Sequence, residues 1–295
     1  MNVINRENHI RMIDTHAHYN MNPYNENRKE LIMKLFDKGI IKIVIPAVSY
    51  ESNFDMRQKF VDEVYHDIIY YAAGVHPKYV HKCQWDEKKD RHMREFLQEE
   101  GTVAVGETGL DYSVSFVDDE MIKIQKEYFI RSIEYANEFK KPVILHIRPY
   151  AMKDSAGKLI NIDCKVFYDA MDILKKYPAR YGSVVHCYSS DTGMAKVLLD
   201  AGVDYFGIGG AIGDRASEGL TEMIKWIPLE KILVETDAPY QRFCHSDPLP
   251  VTSGTLFQIV ERIAELKELD FNEVMNKTYK NAVDFYHWKN NLVSS

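Results

Sequence analysis

The sequence predicts an α/β protein of the TIM (β/α)8 barrel class, with a metal site at the carboxyl ends of its strands. Eight short runs rich in β-branched residues alternate with longer segments of helical periodicity, and most runs are continuously apolar, as in parallel strands covered on both faces. An open doubly wound sheet would need a glycine-rich phosphate loop after its first strand, and the sequence has none. No linker rich in proline, glycine or serine divides the chain, so we expect one domain over residues 1–295.

The predicted strands are distributed along most of the chain. The second run, for example, carries isoleucine or valine at every position from Ile40 to Ile45 except Lys42, which is typical of a strand buried on both faces. The eight predicted strands are residues 12–19, 40–47, 68–75, 102–108, 142–147, 183–188, 204–210 and 232–237.

Helical segments with recognisable ends lie between these strands. Apolar residues recur on one face of the first segment, which stops at Gly39, a residue type that commonly ends helices. Ser52 and Asp191 belong to the types that cap helix N-termini, and each precedes a further segment. The predicted helices are residues 28–38, 52–66, 120–139, 191–202, 252–267 and 271–288.

Two segments exceed the minimal barrel repeat. Residues 149–164 are predicted to be a loop inserted after the fifth strand, on the face where barrel active sites lie. Residues 271–288 are predicted to be an extra helix, packed on the outside or the bottom of the barrel.

Charge and composition exclude some classes of function. The formal net charge of −7 argues against nonspecific nucleic-acid coating, which requires a basic surface, but not against an enzyme that acts on phosphate esters through bound cations. The four cysteines form no Cys-x-x-Cys pair, which argues against a zinc-thiolate finger. Residues 5–8 show no signal-peptide run, and no segment approaches ~18 uninterrupted apolar residues. We therefore expect a cytoplasmic protein without membrane association, and no obligate protein partner is evident.

Residues able to bind metal sort to the carboxyl ends of the predicted strands. His16 and His18 are spaced i and i+2, which places both imidazoles on one face of an extended strand. Catalytic groups of a barrel converge at these ends, so the six residues are expected to meet. The predicted ligands are His16, His18, Glu107, His146, His186 and Asp237, and His76 lies on the same rim.

The type of ligand limits the choice of metal. Four imidazoles and two carboxylates without a thiolate suit Zn, Mn or Fe, and Mg less well. Six ligands exceed what one tetrahedral zinc takes, so the economical arrangement is two divalent ions that share one carboxylate, and Glu107 is well placed to bridge them. Two such ions about 3.5–4 Å apart activate water and stabilise the attacking and leaving oxygens, so hydrolysis is the predicted reaction.

Three further residues share strand faces with the predicted ligands. Asp14 and Glu235 are each predicted to receive a ring N–H from a ligand histidine one layer deeper in the barrel. The alternative for Glu235 is a buried ion pair with a barrel lysine. Arg148 is predicted to reach an anionic group above the metals, and its alternative is a solvated loop arginine.

Six motifs, taken together, resemble those of the TatD family of metal-dependent deoxyribonucleases. The resemblance runs from near residue 12 to the segment TYKNAVDF at 278–285. The motifs are DTHAH at 14–18, GVHP at 74–77, GETGLDY at 106–112, HIR at 146–148, HCYS at 186–189 and ETDAPY at 235–240.

The resemblance implies a barrel of the amidohydrolase type with divalent-metal phosphodiesterase activity, often 3′ to 5′ exonuclease action on DNA. By position, His16, His18, Glu107 and Asp237 would hold one metal, and Glu107, His146 and His186 the other. The chain departs from the family pattern at residues 241–250, at Ser190 and in the 149–164 segment. All of these border the mouth of the site, so the substrate is less defined than the chemistry.

The first functional hypothesis is therefore hydrolysis of a phosphodiester, with DNA from its 3′ end as the substrate. Asp237 is predicted to be the general base and Glu107 the second catalytic carboxylate. A second hypothesis keeps the metals but assigns a small-molecule amide, lactone or phosphoester as substrate, and a third is a non-catalytic metal-binding barrel. The predicted contacts to phosphate or base are His76, Arg148, Tyr112 and Tyr240.

Overall fold

The computed structural model describes residues 10–113, 117–153 and 159–289. Two features used above lie outside these ranges: the N-terminal residues 5–8, and residues 154–158 at the centre of the predicted insertion. Among the described residues, no helix is both long and apolar enough to cross a membrane.

Eight parallel strands form one sheet in the described part of the chain, and two antiparallel strands form a separate hairpin. The strands are β1 (Met12–Asp14), β2 (Ile40–Pro46), β3 (Ile69–Ala73), β4 (Thr102–Asp111), β5 (Val143–Arg148), β6 (Tyr150–Lys153), β7 (Leu159–Asp163), β8 (Ser183–Val185), β9 (Tyr205–Ile208) and β10 (Ile232–Val234). The sheet order is β1-β2-β3-β4-β5-β8-β9-β10, which follows the chain once the hairpin is set aside.

The two edges of this sheet are joined just beyond the ends of β1 and β10. The Thr15 main-chain N–H donates to Val234 O at 3.2 Å, and the Asp237 N–H donates to His16 O at 2.9 Å. The His18 N–H donates in the same way to Ala238 O at 2.7 Å. The sheet is thus a nearly closed barrel, which confirms the predicted TIM fold, and the segments that join it are those that carry three predicted metal ligands.

Helices connect consecutive barrel strands. Three of them, α3, α5 and α7, are absent from the predicted set, although Asp86 and Ser217 cap α3 and α7 as sequence signals would suggest. The helices are α1 (Arg28–Asp37), α2 (Ser52–Lys59), α3 (Glu87–Gln98), α4 (Asp119–Phe139), α5 (Lys165–Lys176), α6 (Thr192–Asp200), α7 (Glu218–Trp226), α8 (Leu256–Lys267) and α9 (Phe271–Phe285).

The predicted helix over residues 52–66 is wrong beyond Lys59. Phe60 leaves the helical conformation and packs its buried ring against Tyr65, at 5.1 Å between centroids. Asp62 then caps a separate 3-10 turn by accepting from the Val64 N–H. Ser52 also differs from its predicted role, since it is the first helical residue and its Oγ accepts from the N–H groups of Val48 and Ser49.

Helix α9 closes the amino-terminal end of the barrel. Its last turn carries Phe285, which packs with the neighbouring Tyr286 against a layer of buried apolar side chains from the barrel interior. The layer consists of Ile13, Val44, Ala72, Ala104, Ile144, Val184 and Leu233, one from each of seven strands. With one end of the barrel filled in this way, the polar residues of the opposite end face an open cleft.

A buried hydrogen bond donor also fixes α9 to the barrel. Asn281 Nδ2 donates to the main-chain oxygens of Leu229 and Ile232, at 2.8 Å each. We expect Asn281→Ala to lower the free energy of unfolding by about 1–3 kcal/mol, because two buried carbonyls lose their donor. Urea denaturation measures this. The exposed Asn276→Ala on the same helix is the control, and equal stability of both variants would contradict the role of Asn281.

Candidate metal centre

The structure brings all six predicted ligands together at the carboxyl end of the barrel. His16 and His18 lie just after β1, whereas Glu107 and His146 lie within β4 and β5. His186 and Asp237 follow β8 and β10, both of which are shorter than predicted. The four histidines and Glu107 are buried, and the side chain of Asp237 keeps 15% of its surface exposed.

An irregularity in β4 turns Glu107 toward the barrel axis. The pairing of β4 with β5 shifts between Val105 and Thr108, as in a β-bulge. Gly106 at this point has φ 153°, and a Cβ there would come within 2.9 Å of the Ile144 side chain. Glycine thus permits the close approach of the two strands that the bulge requires.

Glu107 lies at the centre of the cluster. Its Oε2 is 2.8 Å from His186 Nε2, 3.4 Å from His16 Nε2 and 3.8 Å from His146 Nδ1. The rings of His16 and His186 stack with centroids 4.0 Å apart. One carboxylate is therefore surrounded by three imidazoles that come from different strands.

Asp237 lies on the side of the cluster formed by His16 and His18. Its Oδ1 is 3.3 Å from His18 Nε2 and 3.7 Å from His16 Nε2. Burial raises the pKa of Asp237, but the hydrogen bond and charge of His18 outweigh burial and leave the pKa below its usual value. Asp237 is therefore an ionised carboxylate at the wall of the cleft.

The donor set fits divalent cations. His16 Nε2, which faces Glu107 and Asp237, is buried without a hydrogen bond partner among the described residues, an arrangement that costs free energy unless another group satisfies it. The ligand atoms of His16, His18 and Glu107 lie within 4.8 Å of one another, and so do those of Glu107, His146 and His186. These two sets share Glu107, as the bridging arrangement predicts.

The pKa shifts of the cluster histidines indicate how strongly the Glu107 carboxylate acts on them. Burial lowers the pKa of His186, but the Glu107 carboxylate reverses this and raises it to about 9. Burial and the charge of His186 lower the pKa of His16 to about 4. A single carboxylate thus retains positive charge on one imidazole and not on the next, and a cation bound among these residues would replace that proton.

Asp111 is a candidate positioning residue that the sequence analysis does not identify. Its Oδ2 is 3.0 Å from His146 Nε2, which turns His146 Nδ1 toward Glu107 and His186. Lys78 Nζ lies 3.4 Å from the same oxygen. The signal was present in the sequence, because Asp111 has the strand parity of Glu107, but β4 was predicted to end at residue 108.

Asp111→Asn should therefore weaken the site without removing a ligand. The amide can no longer accept from His146 Nε2 with full negative charge, so we expect activity or metal affinity to fall roughly 10- to 100-fold. Metal titration and steady-state kinetics measure the two effects. Asp119→Asn at the start of α4 is the control, and an unchanged metal affinity together with unchanged kcat/KM in Asp111→Asn would contradict the role of Asp111.

Asp14 takes partners other than the predicted histidine ring. Its described hydrogen bonds come from Thr236 N at 3.0 Å, Thr236 Oγ1 and Ser253 Oγ at 2.6 Å each, and the main-chain N–H of His16 at 3.3 Å. Burial raises its pKa to about 6. Asp14 thus ties the segment that carries the first two histidines to the segment that carries Asp237.

Glu235 lies beneath His186. Its Oε1 accepts from the main-chain N–H of Cys187 and is 3.9 Å from His186 Nδ1. Burial raises the pKa of Glu235 to about 7. Gly207 on β9 provides the space, since a Cβ there would lie 2.3 Å from Glu235 Oε2. No lysine pairs with Glu235 among the described residues, and the 3.9 Å separation from His186 Nδ1 is too long for the predicted hydrogen bond from a ring N–H.

The structure places three of the four predicted substrate contacts at the cluster or at the mouth of the cleft. His76 joins the cluster, with Nε2 3.2 Å from His146 Nδ1, and Arg148 and Tyr240 are exposed at the mouth. Tyr112 is not brought to the site. It follows Asp111 on the opposite strand face, where its hydroxyl donates to Asp169 Oδ2 on α5 at 2.6 Å, so this position gives its predicted role in substrate contact no support.

Two adjoining cavities open at the cluster. The central cleft, of about 420 Å³, reaches Glu107 at its base and is lined at its rim by Lys78, Arg148 and Tyr240. The second, which we call the hairpin pocket, has about 250 Å³ and lies between the cluster and the β6–β7 hairpin. Anionic substrate groups in the central cleft would meet the positive charges of Lys78 and Arg148.

The chain resembles known proteins over nearly its whole length. It matches the family described as TatD related DNase over residues 13–287. YabD of Bacillus subtilis (strain 168), an uncharacterized metal-dependent hydrolase, is 30% identical over 277 residues, which cover 92% of this chain and 97% of YabD. The 3′-5′ ssDNA/RNA exonuclease TatD of Escherichia fergusonii is 27% identical over 264 residues, or 88% of this chain and 92% of that protein.

A solved structure supports the same fold. The TatD homologue YjjV of Escherichia coli K12 superposes with a TM-score of 0.79 at 24% identity, covering 95% of this chain and 99% of YjjV.

Proposed function

The chain belongs to the TatD related DNase family of metal-dependent hydrolases, and on this premise we propose that it hydrolyses phosphodiesters, with single-stranded DNA degraded from its 3′ end as the substrate. The observation that carries the proposal is the pair of overlapping ligand sets that share Glu107 at the base of the central cleft. Two positive side chains at the rim of the cleft, Lys78 and Arg148, suit a phosphate group above the cluster. The similarity to the exonuclease TatD of Escherichia fergusonii supports a nucleic acid as the substrate.

The residues present would hold two divalent cations. His16, His18, Glu107 and Asp237 would hold one, and Glu107, His146 and His186 the other. Zn, Mn or Mg so bound supplies Lewis acidity, which lowers the pKa of water and offsets charge on phosphoryl oxygens.

The protein's own side chains accept the proton of the attacking water and orient the diester. Asp237, ionised and open to the cleft, accepts a proton from the water that attacks phosphorus. An oxygen–phosphorus bond forms to that water, the bond from phosphorus to the 3′ oxygen of the preceding nucleotide breaks, and that oxygen takes up a proton at the solvent-filled mouth. Arg148 and His76 contact the phosphoryl oxygens and keep the diester oriented, Asp111 orients the ring of His146, and Glu235 fixes the main chain at Cys187, next to His186.

The test uses the purified protein loaded separately with Mg, Mn or Zn. A 5′-labelled single-stranded DNA, the matched RNA and a DNA blocked at its 3′ end are offered beside a panel of esters, lactones and chromogenic phosphodiesters. We expect stepwise shortening of the unblocked DNA that stops when chelator is added. The blocked DNA is the control for polarity.

Other outcomes would replace this proposal. Turnover of an ester or lactone only would assign a small-molecule substrate to the same metal chemistry. Absence of turnover with every metal would favour a non-catalytic metal-binding barrel. Cleavage of the 3′-blocked DNA at internal positions would retain the nuclease and exclude the 3′ exonuclease.

A further inference from the structure

The hairpin β6–β7 presents one face to a cavity beside the cluster. Ala151 and Ile162 are directly paired across the hairpin, and both line the hairpin pocket. Adjacent residues of a strand point to opposite faces, so Tyr150 and Asn161, which neighbour this pair along the two strands, point away from the pocket. The hairpin therefore contributes a small apolar wall made by one cross-strand pair.

Apolar and polar side chains both line the rest of the hairpin pocket. Ile147, Phe167 and Tyr188 contribute apolar surface, Ser189 and Ser190 contribute hydroxyl groups, and the residues shared with the central cleft contribute charged and polar groups. The Tyr188 hydroxyl donates to Asp191 O at 2.5 Å, so the pocket meets its ring and not a free hydroxyl. This arrangement fits a flat group with apolar faces and a polar edge.

The hairpin pocket and the central cleft meet at the cluster. Five residues line both cavities, namely His146, Arg148, His186, Asp237 and Gln241. A substrate whose phosphate lies at the cluster can therefore extend an attached group into the hairpin pocket. At about 250 Å³ the pocket is smaller than the ~300–1,000 Å³ typical of sites for drug-sized ligands, which limits that group to one ring system.

We propose that the hairpin pocket binds a single nucleobase, attached through its sugar to the phosphate held at the cluster. The inference rests on the proposed function, and it assigns to the inserted segment the recognition of one base of the substrate. Apolar and aromatic surfaces accept any base through its faces, and hydroxyl groups at the rim reach its polar edge.

Binding of a mononucleotide tests this without hydrolysis. The affinity of the metal-loaded protein for 2′-deoxyadenosine 5′-monophosphate is compared by calorimetry with that for 2-deoxyribose 5-phosphate, which lacks the base. The wild type is expected to prefer the nucleotide by about tenfold or more. Ala151→Trp and Ile162→Trp fill the pocket and should remove this preference while leaving the affinity for the sugar phosphate unchanged.

Asn161→Trp is the matched control, because it places the same ring on the opposite face of the same hairpin. It should bind like the wild type, and thermal denaturation of all variants checks that they fold. Equal affinity of the wild type for both ligands would overturn the proposal. So would a nucleotide preference that survives in Ala151→Trp and Ile162→Trp, or one lost equally in Asn161→Trp. Failure of DNA shortening would count against the proposed function alone, since these affinities are measured at equilibrium.

Discussion

Replacing Glu107 with glutamine is expected to lower kcat/KM of the metal-loaded protein by at least about 10³-fold, well beyond the 10- to 100-fold cost of losing an outer partner of a ligand. Glu107 Oε2 faces His16, His146 and His186 at 2.8–3.8 Å. Glutamine has nearly the same shape but carries no charge, and it can present an N–H where the cluster requires an oxygen. Steady-state kinetics and metal analysis after dialysis measure the loss of activity and of bound metal.

Glu100→Gln is the matched control, because Glu100 is exposed just before the same strand. It should retain both activity and metal. The fold of the Glu107 variant can be checked by urea denaturation of the metal-free protein. Activity within tenfold of the wild type, with full metal content, would contradict the central position assigned to Glu107.

Asp237→Asn is expected to reduce kcat by about 10²- to 10⁴-fold, the range typical of a lost general base. Asp237 is more open to the cleft than Glu107, with 15% against 3% of the side chain exposed. Its pKa is lowered by His18 despite burial, so the carboxylate is available in its basic form at neutral pH. Asparagine keeps an oxygen near His18 but cannot accept the proton.

Comparison with the Glu107 variant separates the two roles. Because Asp237 is proposed to hold only one of the two cations whereas Glu107 is proposed to hold both, the Asp237 variant should retain more metal than Glu107→Gln while losing kcat. The exposed Asp172→Asn on α5 is the control. An unchanged kcat would exclude Asp237 as the base, and a loss of metal equal to that of Glu107→Gln would reduce Asp237 to a ligand.

Hydrophobic patterns in the sequence predict the barrel strands and the polar residues at their ends, because both depend on local burial. Strands covered on both faces are continuously apolar, so the barrel strands could be found without knowing their neighbours. Polar residues at the ends of such runs are conspicuous for the same reason. Strand ends alone therefore predict six ligands, and the structure brings their ligand atoms together. The six are His16, His18, His146, His186, Glu107 and Asp237.

Tertiary structure alone decided the features that depend on register between distant segments. Asp111 meets His146 because β4 continues past its predicted end and carries a bulge against β5. The same extension turns Tyr112 outward to Asp169, 57 residues away along the chain. Parity with Glu107 places Asp111 on the same strand face, but the partners His146 and Asp169 do not follow from parity, because they depend on how far β4 extends and on its pairing with β5.

The inserted segment, residues 149–164, also combines a feature that the sequence predicts with one that only the folded chain decides. Its position after the fifth strand could be predicted from the sequence, but the antiparallel pairing of β6 with β7 could not. Only the paired structure brings Ala151 and Ile162 onto one face, beside the cluster. The sequence by itself thus determined the barrel and the residues proposed as its metal ligands, because burial and strand ends are local properties. The folded chain decided which groups contact those residues and which surface borders the cluster, because those depend on pairing between remote residues.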